Sequence, residues 1–461
     1  MYKLLYDGLY DELIKQSLPV LESDKDAERA FLRLFLSKNA TFLIGAPAVE
    51  LLRQAAEKGN RYAQYGLARW QSMVRPNDDA LAQSFQNFQA AAEQKLPDAI
   101  AGLALAYEYG DMGSVDWEKA EELLDKAMSL GSELAYVYKL KEFCFGVHYK
   151  DAQPDKAVDL ANQLIATYKA NEIEPNGYWY YFRATAKEGR VGRTRVTDDY
   201  EEALKLGVLE AYTDLIMASG YGDENGVLIE SKEYTRYVQE GIANRCAGAF
   251  YLDAARELSR YSVMEEEYTE REIMTEKIPA DRLQKSHDFI NTRLHTAAQL
   301  GDNAAIEQLG DMYAAGSYGY PQSFKQAAEY YAQGVKHDSA ACAEKLWKLI
   351  HNHDIDRPLD EVDYLVLCGA RWGSKRLLAE AVIAHQEGRL EDYADEVEKY
   401  YDPIFDSPEF SLDNDEDWMG VIDGLLGDDD DDDFDDDLLN DDDDPDSDDY
   451  PDDDGRYDAW A

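Results

Sequence analysis

The chain has 461 residues, of which 45% are hydrophobic, so it is long enough for two or three globular domains or for one elongated array with a large buried core. Its net charge of −49 argues against a nucleic-acid binder, which needs a basic patch to displace counterions from phosphates, and against docking on anionic lipid. If charge selects the partners of this chain, those partners are basic.

Residues 1–25 are predicted to form an N-terminal capping helix, because the end of a repeat array must cover an exposed apolar face. Asp7, Asp11 and Glu12 fall where a signal peptide needs an unbroken apolar run. The four cysteines are scattered singly, which is typical of reduced thiols in a protein core. We therefore expect a cytoplasmic protein.

The most apolar stretch of the chain runs from Ala30 to Leu52. Arg33, Lys38 and Glu50 interrupt it, and so does a Gly-Ala-Pro turn. A transmembrane helix needs about 20 predominantly apolar residues in succession. The sequence therefore predicts no membrane-spanning segment.

One pattern recurs along the chain: a small residue, a central residue four positions later that is usually glycine, and a second small residue four beyond it. The central residues of the complete pattern are Gly59, Lys95, Gly131, Gly207 and Gly301, and the first three are 36 apart in both intervals. Counting 36 residues from Gly301 reaches His337, which is followed by Ala341, and a further 36 reaches Gly373. A fixed period of this length is the signature of a repeat architecture.

Each repeat has the composition of two helices joined by a turn. An apolar run with helical spacing, such as Ala120 to Ala127, precedes the central residue. The glycine then stands where a helix ends in the left-handed conformation, and a second helix follows. Two helices of about 12–14 residues with short connections fill about 36 residues, the size of a helix-hairpin repeat.

One repeat carries a family resemblance. The segment Ala305-x-x-x-Leu309-Gly310-x-x-Tyr313-x-x-Gly316-x-x-Gly319, continued by Gln326-Ala327-x-x-Tyr330-Tyr331-x-x-Gly334, resembles a Sel-1-like repeat. Looser matches extend from about residue 26 to about residue 401. The resemblance implies an all-α, right-handed superhelical solenoid of about nine to ten helix-hairpin repeats over residues 26–405.

Two stretches depart from the regular repeat. From Gly241 to Gly301 is a distance of 60 residues, about 24 more than one repeat needs, which predicts an insertion at about 260–285. The stretch from Gly189 to Arg195 is predicted to be a loop and is the most basic part of the chain. Arg190, Arg193 and Arg195 could receive the acidic C-terminal tail, or the loop could simply be solvated.

Residues 406–461 have a different composition from the rest of the chain. They contain 27 Asp and Glu residues and one Arg, which leaves a net charge of −23 for residues 1–405. Like-charge repulsion keeps a run such as Asp428 to Asp433 extended and solvated, so we predict a disordered acidic tail.

Apolar residues within this tail form clusters between the acidic runs, a pattern that suits a segment folding into a groove. The candidate partner-binding residues there are Trp418, Ile422, Leu425, Leu426, Phe434, Leu438 and Leu439. A tail that only increases solubility remains the alternative, and weak binding of divalent cations by its carboxylates is a third.

The motifs of common enzymes are absent from the sequence: we find no phosphate-binding loop, no dinucleotide fingerprint, no HExxH and no GxSxG. His351 and His353, with His337 and Cys342 upstream, are the best metal candidates, but their spacing does not make the side chains converge. We therefore predict no catalytic site, no cofactor and no metal site.

The sequence favours a non-enzymatic scaffold or adaptor that binds a protein partner through the groove of its solenoid, with a tail that modulates binding or solubility. The alternative is an immunity or inhibitor protein that neutralises a basic partner such as a nuclease toxin, its acidic tail imitating nucleic acid. Sel-1-like repeats recur in bacterial signalling, virulence and toxin-immunity settings, so the resemblance permits both functions.

Overall fold

A computed structural model describes residues 1–398 apart from residues 78, 112, 147–150, 223–227, 273–279, 353, 354 and 356. The chain divides into two compact units. Unit 1 comprises Met1–Asp338 and Leu349–Ile355, and unit 2 comprises Ser339–Lys348 and the residues from 356 onward.

The described chain is helical, as predicted. It begins with α1 (Tyr2–Tyr6), α2 (Tyr10–Ser17), α3 (Lys25–Leu34) and α4 (Lys38–Phe42). Nine consecutive helix pairs follow. The first helices of these pairs are α5 (Ala46–Glu57), α7 (Ala80–Glu93), α9 (Trp117–Ser129), α11 (Pro154–Ala170), α13 (Thr197–Lys205), α15 (Lys232–Ala243), α17 (Ala280–Gln299), α19 (Phe324–Lys336) and α21 (Leu359–Arg371).

The second helices complete the pairs. They are α6 (Arg61–Val74), α8 (Pro97–Glu108), α10 (Glu133–Phe145), α12 (Gly177–Val191), α14 (Ala211–Ser219), α16 (Ala247–Glu272), α18 (Asn303–Ala315), α20 (Ala340–Asn352) and α22 (Lys375–Gln386). Within unit 1 the two helices of a pair pack on each other, and each second helix packs on the next first helix. This is the predicted helix-hairpin repeat.

The remaining described elements are short. Two 3-10 helices cover Arg193–Arg195 and Glu391–Tyr393, and α23 covers Ala394–Glu398. Strands β1 (Gly220–Gly222) and β2 (Leu228–Glu230) pair antiparallel with Tyr221 opposite Ile229, in the connection between α14 and α15. The sequence pattern gave no sign of this hairpin. No helix among the described residues has both the length and the apolar character needed to cross a membrane.

The turns inside the helix pairs have the left-handed geometry that the repeat pattern predicts. Five of them carry glycine with a φ between +80° and +95°, namely Gly59, Gly131, Gly207, Gly301 and Gly373. Four carry a residue with a side chain in the same conformation, namely Lys95, Glu172, Arg245 and Asp338. The left-handed residue of the eighth pair is thus Asp338, one position beyond the His337 reached by counting.

Gly241 does not lie at a turn, contrary to the use made of it in the sequence count. The count of 60 residues started there, but Gly241 lies inside α15, and the turn of that pair is at Arg245. Gly241 is small because of packing, since a Cβ atom on it would lie 2.6 Å from the Cβ of Ala249. Counted from Arg245 to Gly301, the excess over one repeat falls within the long helices α16 and α17.

A polar residue follows the turn glycine in four of the pairs and caps the second helix. The side chains of Asn60, Ser132, Asp302 and Ser374 each accept a hydrogen bond from a backbone N–H in the first turn of that helix. Such caps satisfy amide groups that would otherwise have no partner. A glycine followed directly by a capping residue therefore also marks the repeat in the sequence. The 36-residue count made no use of the capping residue.

The small residues of the repeat pattern lie in the core. Ala63, Ala99, Ala135, Ala211 and Ala305, each four positions after a central residue, are fully buried. Their methyl groups allow adjacent helices to approach closely. Larger side chains fill the remaining volume, and the largest fully buried ones include Trp179, Tyr62, Tyr65 and Tyr200.

The turn geometry predicts opposite effects for two exposed glycines that both have open space around them. Gly131→Ala places a Cβ at a φ of +84° and should lower the free energy of unfolding by about 1–2 kcal/mol. Gly189→Ala lies inside α12 and should raise it by about 0.5–1 kcal/mol. Urea unfolding followed by circular dichroism measures both, and equal effects of the two substitutions would contradict the assignment of the turn.

Candidate functional site

The N-terminal segment, residues 1–45, runs along the starts of the second helices of unit 1. Its central contact is an ion pair between Arg33 of α3 and Glu133, the first residue of α10. Arg33 donates from Nε to Oε2 at 2.7 Å and from Nη2 to Oε1 at 2.8 Å. The same guanidinium donates to the backbone carbonyls of Glu174 and Pro175, and Asn176 donates to Glu133. One side chain therefore joins α3 to the starts of α10 and α12.

This ion pair is almost completely buried, with 5% of the Arg33 side chain and 10% of the Glu133 side chain exposed. Burial alone would raise the pKa of Glu133, but Arg33 outweighs it and lowers that pKa below its usual value. Burial likewise opposes the charge on Arg33, while Glu133 raises the pKa of the guanidinium. Both groups therefore remain charged in the interior.

Further contacts continue along the same face of unit 1. The Ser37 hydroxyl donates to Glu210 at 2.7 Å, immediately before α14. Asn39 donates from Nδ2 to the carbonyl of Arg245 at 3.1 Å and accepts from the backbone N–H of Ala247 at 2.7 Å. Asn39 therefore satisfies two backbone groups at the turn that leads into α16.

Aromatic side chains anchor the segment against α6. Phe31 of α3 and Phe35, which directly follows that helix, are fully buried, and the Phe35 ring packs edge-on against Tyr65 with centroids 6.0 Å apart. Gly66 permits this approach, since a Cβ atom there would lie 2.8 Å from the Phe35 ring. The N-terminal segment is therefore part of the core of unit 1, and these surfaces of the second helices are already covered.

The sequence did not predict this position for residues 26–45. Two helices, α1 and α2, occupy the residues assigned to a single capping helix, and α3 and α4 extend the segment further. The contacts link residues 100 to 208 positions apart, so no local pattern records them. Arg33 and Lys38, read only as interruptions of an apolar stretch, are the available signal.

The basic stretch differs from its predicted loop. Gly189 and Arg190 belong to the last turns of α12, which ends at Val191, and Gly192 stops the helix with a φ of +81°. Arg195 lies in the 3-10 helix that follows. Gly189 keeps a negative φ, so the helix continues through it, whereas the positive φ of Gly192 ends the helix.

Two of the three arginines already have acidic partners. Arg190 donates to Asp155, with a distance of 2.8 Å from Nη2 to Oδ2, and this contact lowers the pKa of Asp155. Arg193 donates from Nε to Glu188. Arg195 is exposed and forms no ion pair with a described residue. The contribution of these three arginines to partner binding stays a prediction.

The other predicted site residues lie in the C-terminal tail. Trp418, Ile422, Leu425, Leu426, Phe434, Leu438 and Leu439 all fall outside the described residues, as does His353. In the described part of the chain, no group of three or more His, Cys, Asp or Glu side chains is arranged to hold a metal ion.

A buried carboxyl group supports the start of α10 from the neighbouring helix. Asp98 of α8 is 4% exposed and accepts a hydrogen bond from the backbone N–H of Leu134 at 3.1 Å. Burial raises the pKa of Asp98 to about 7, with a further contribution from Glu133, while the Leu134 hydrogen bond opposes the shift. Its protonation state therefore changes near neutral pH.

Comparisons with known proteins found no matching family model and no matching curated protein. Two solved structures align with the chain at 15% identity and a TM-score of 0.30. A Sel1 repeat protein from Oxalobacter formigenes aligns over 72% of this chain and 89% of its own. The protective antigen c5321 of uropathogenic Escherichia coli strains, which displays an SLR fold, aligns over 77% and 78%. At this TM-score neither likeness adds weight, and the repeat architecture rests on the nine helix pairs.

Removing one partner of the buried ion pair should be strongly destabilising. Arg33→Met leaves the Glu133 carboxylate without its cation and should lower the free energy of unfolding by about 3–5 kcal/mol. The double variant Arg33→Met/Glu133→Met should lose less than Arg33→Met alone, because it leaves no unpaired charge. Urea unfolding measures both.

The exposed pair of Arg53 and Glu50 supplies the control, since about half of each side chain is exposed. Arg53→Met should change the free energy of unfolding by less than about 1 kcal/mol. If Arg33→Met were no more harmful than Arg53→Met, the N-terminal segment would not be held by the buried pair.

Asp98 should make stability depend on pH. Because its folded pKa of about 7 is above the usual value, the folded state retains a proton that the unfolded state releases, so stability falls as pH rises from 5 to 8. Asp98→Asn should therefore gain stability relative to the native protein over that interval, as measured by urea unfolding at each pH.

Asp155→Asn is the matched control. Arg190 lowers the pKa of the Asp155 carboxyl, so this group titrates below the interval and the effect of its substitution should be the same at pH 5 and pH 8. An Asp98→Asn effect that also stays constant between these pH values would contradict the raised pKa.

Proposed function

We propose that the chain is a non-enzymatic cytoplasmic scaffold or adaptor that binds a protein partner, with its acidic C-terminal residues modulating that binding. The observation that carries the proposal is the series of nine helix pairs. Stacked helix hairpins present extended surfaces on which other proteins bind, and they require no catalytic group to do so.

The N-terminal segment restricts where a partner can bind on unit 1. Phe31, Arg33 and Asn39 occupy the starts of the second helices, so a partner would have to displace buried side chains to reach them. We therefore propose that the partner binds surfaces that the segment leaves open. Leu130 and Phe145, at the ends of α9 and α10, are each about half exposed and are available for apolar contacts.

The acidic residues 406–461 favour a basic partner. Their 27 carboxylates attract a positively charged surface over a range of about 10 Å at 0.1 M salt and raise the rate of encounter. The apolar residues between the acidic runs, among them Trp418, Leu425 and Phe434, would then supply short-range contacts. The exposed Arg195 would add an anchor for an acidic group on the same partner.

The same acidic composition supports the second candidate function, an immunity or inhibitor protein that neutralises a basic partner such as a nuclease toxin. In that case the carboxylates of residues 406–461 would occupy the basic surface that otherwise contacts phosphates. The two functions differ in where the binding energy comes from: the helix pairs for a scaffold, and the acidic residues for an inhibitor.

Capture from extracts of the native host separates these functions. The full chain and a chain ending at residue 405 serve as baits at low and at high salt. Each recovered partner is then purified, and its binding to the purified chain is measured to confirm the interaction. For a scaffold we expect the partner to bind both baits and to persist at high salt, because apolar contacts are not screened.

Loss of the partner from the shortened bait and at high salt would instead support the inhibitor function. Leu130→Ser and Phe145→Ser, made separately because the residues lie at opposite ends of the α9–α10 pair, test the two positions; each variant should bind the partner at least tenfold more weakly if the partner contacts that position. Gly189→Ala, also exposed but distant in sequence from both residues, is the control and should bind as the native chain does. Substrate turnover by the purified chain would overturn both functions.

A further inference from the structure

Arg69 of α6 is a buried cation that has no carboxylate partner among the described residues. The residue is only 7% exposed. Its Nε donates to the backbone carbonyl of Phe35 at 3.0 Å, which connects α6 to the end of α3. The terminal nitrogens Nη1 and Nη2 form no hydrogen bond or ion pair with any residue that the structure describes. Most of the donors of this guanidinium are therefore unused in the described part of the chain.

Arg33 shows how the same core holds an arginine whose charge is compensated. It is buried to a similar degree, but two hydrogen bonds link it to Glu133. Burial opposes the charge of Arg33, yet Glu133 outweighs burial and raises the pKa of that guanidinium. For Arg69 burial prevails and lowers the pKa, although an arginine still stays protonated at neutral pH. Because an unpaired charge in a protein interior is unfavourable, a negative charge from outside the chain would stabilise Arg69.

Asp98 of α8 does not supply that negative charge. It makes no contact with Arg69, and it accepts a hydrogen bond from the backbone N–H of Leu134 instead. Burial raises the pKa of Asp98 to about 7, so below that pH the group is mostly neutral. An arginine in contact would lower this pKa, as Arg33 lowers that of Glu133. The raised pKa of Asp98 therefore agrees with the absence of an ion pair between Asp98 and Arg69.

A second unused donor lies one helical turn away. Tyr65 precedes Arg69 by four residues on α6, a spacing that places the two side chains next to each other on one face of the helix. Tyr65 is fully buried, and its hydroxyl forms no hydrogen bond with a described residue. Burial raises the pKa of Tyr65, so the hydroxyl keeps its proton and can donate it in a hydrogen bond. Two neighbouring buried groups therefore offer donors and lack an acceptor.

The surroundings of these donors determine what kind of acceptor they admit. Two buried rings pack against Tyr65: that of Phe35, with centroids 6.0 Å apart, and that of Phe88, with centroids 6.2 Å apart. In such an apolar environment the attraction between an anion and a guanidinium is stronger than in water. The small exposed fraction of Arg69 leaves too little surface for a polypeptide chain to contact. The site therefore favours a small ion over a peptide carboxylate.

We propose that Arg69 and Tyr65 bind a small monovalent inorganic anion such as chloride. The guanidinium supplies the positive charge and a terminal N–H group, and the Tyr65 hydroxyl donates a second hydrogen bond. A water molecule would accept the same hydrogen bonds but would leave the charge of Arg69 uncompensated. The bound anion stabilises Arg69 in contact with Phe35, and so it strengthens the attachment of the N-terminal segment to α6. The inference is independent of the proposed function.

Chloride NMR on the full chain tests the proposal, because the chloride resonance broadens when the ion exchanges with a protein site. The titration is made at pH 6, where Asp98 keeps its proton, and gluconate, an anion too bulky for the site, holds the ionic strength constant. We expect saturable broadening by the native chain and none of it by Arg69→Met. Arg53→Met is the control for net charge, since Arg53 is an exposed cation, and this variant should broaden the resonance as the native chain does.

Tyr65→Phe tests the second donor and removes only one oxygen atom. It should weaken chloride binding about tenfold, because it deletes a hydrogen bond to a charged ligand. Tyr62→Phe is the matched control. Tyr62 is also fully buried on α6, but its hydroxyl already donates to Glu28 at 2.9 Å, so this variant should bind chloride as the native chain does.

Thermal unfolding supplies the second readout. Replacing gluconate by chloride should raise the melting temperature of the native chain and of Tyr62→Phe, should raise that of Tyr65→Phe less, and should leave that of Arg69→Met unchanged. Circular dichroism shows whether each variant is folded, and if Arg69→Met is not, the two tyrosine variants decide. The proposal is wrong if the native chain causes no saturable broadening at chloride concentrations up to 0.1 M, on the order of physiological ionic strength. It is equally wrong if Tyr65→Phe and Tyr62→Phe bind chloride alike.

Discussion

The ion pair between Arg33 and Glu133 determines how the N-terminal segment is held in unit 1. Two charges in a protein interior lose their hydration, which costs several kcal/mol for each ion, so such a pair persists only when its geometry is nearly ideal and its remaining atoms are bonded. Here two parallel hydrogen bonds link the pair, and backbone carbonyls and Asn176 satisfy further groups. The Tyr2 ring lies 5.3 Å from the guanidinium and covers it. This arrangement fixes where α3 lies, and the rest of the segment follows from it.

Unit 2 also contains a buried arginine–glutamate ion pair, and it involves the last helix that the structure describes. Arg371 of α21 donates from Nε and Nη2 to the two oxygens of Glu396 at 2.7 and 2.9 Å, and the two side chains are 4% and 0% exposed. Glu396 belongs to the five-residue α23, which is too short to be stable alone. A buried arginine–glutamate pair thus attaches a short terminal helix to a helix pair, as it does for α3 in unit 1.

The parts of the fold that were predicted from sequence are those with a local cause. Gly59, Gly131 and Gly301 stand at left-handed turns, which only glycine adopts without strain, so their spacing gave the repeat directly. Lys95 and Arg245 adopt the same conformation although a side chain makes it costly. Lys95 was found only because the 36-residue count falls on it, and no sequence rule would have chosen Arg245. At Gly241 the reverse happened: a glycine that is small for packing was read as a turn.

The candidate sites were harder to predict than the fold, because they depend on contacts between residues that are far apart in sequence. Arg190 and Arg193 looked available because sequence reveals a run of charge but not the acids that lie opposite it, here Asp155 and Glu188. Arg33 was visible only as a charge in an apolar stretch. Its significance depends on Glu133, which only the packing of the repeats brings opposite it.

The N-terminal segment also changes how the repeats of unit 1 depend on one another. In a simple array each repeat contacts only its neighbours, so its stability is a sum of local terms and one end can unfold without the other. Here the segment contacts repeats far apart in sequence, from Glu133 in α10 to Ala247 in α16. Unfolding any of these repeats exposes part of the same buried segment, so the contacts of one repeat stabilise the others. The segment therefore makes unit 1 more cooperative than its repeat pattern alone would imply.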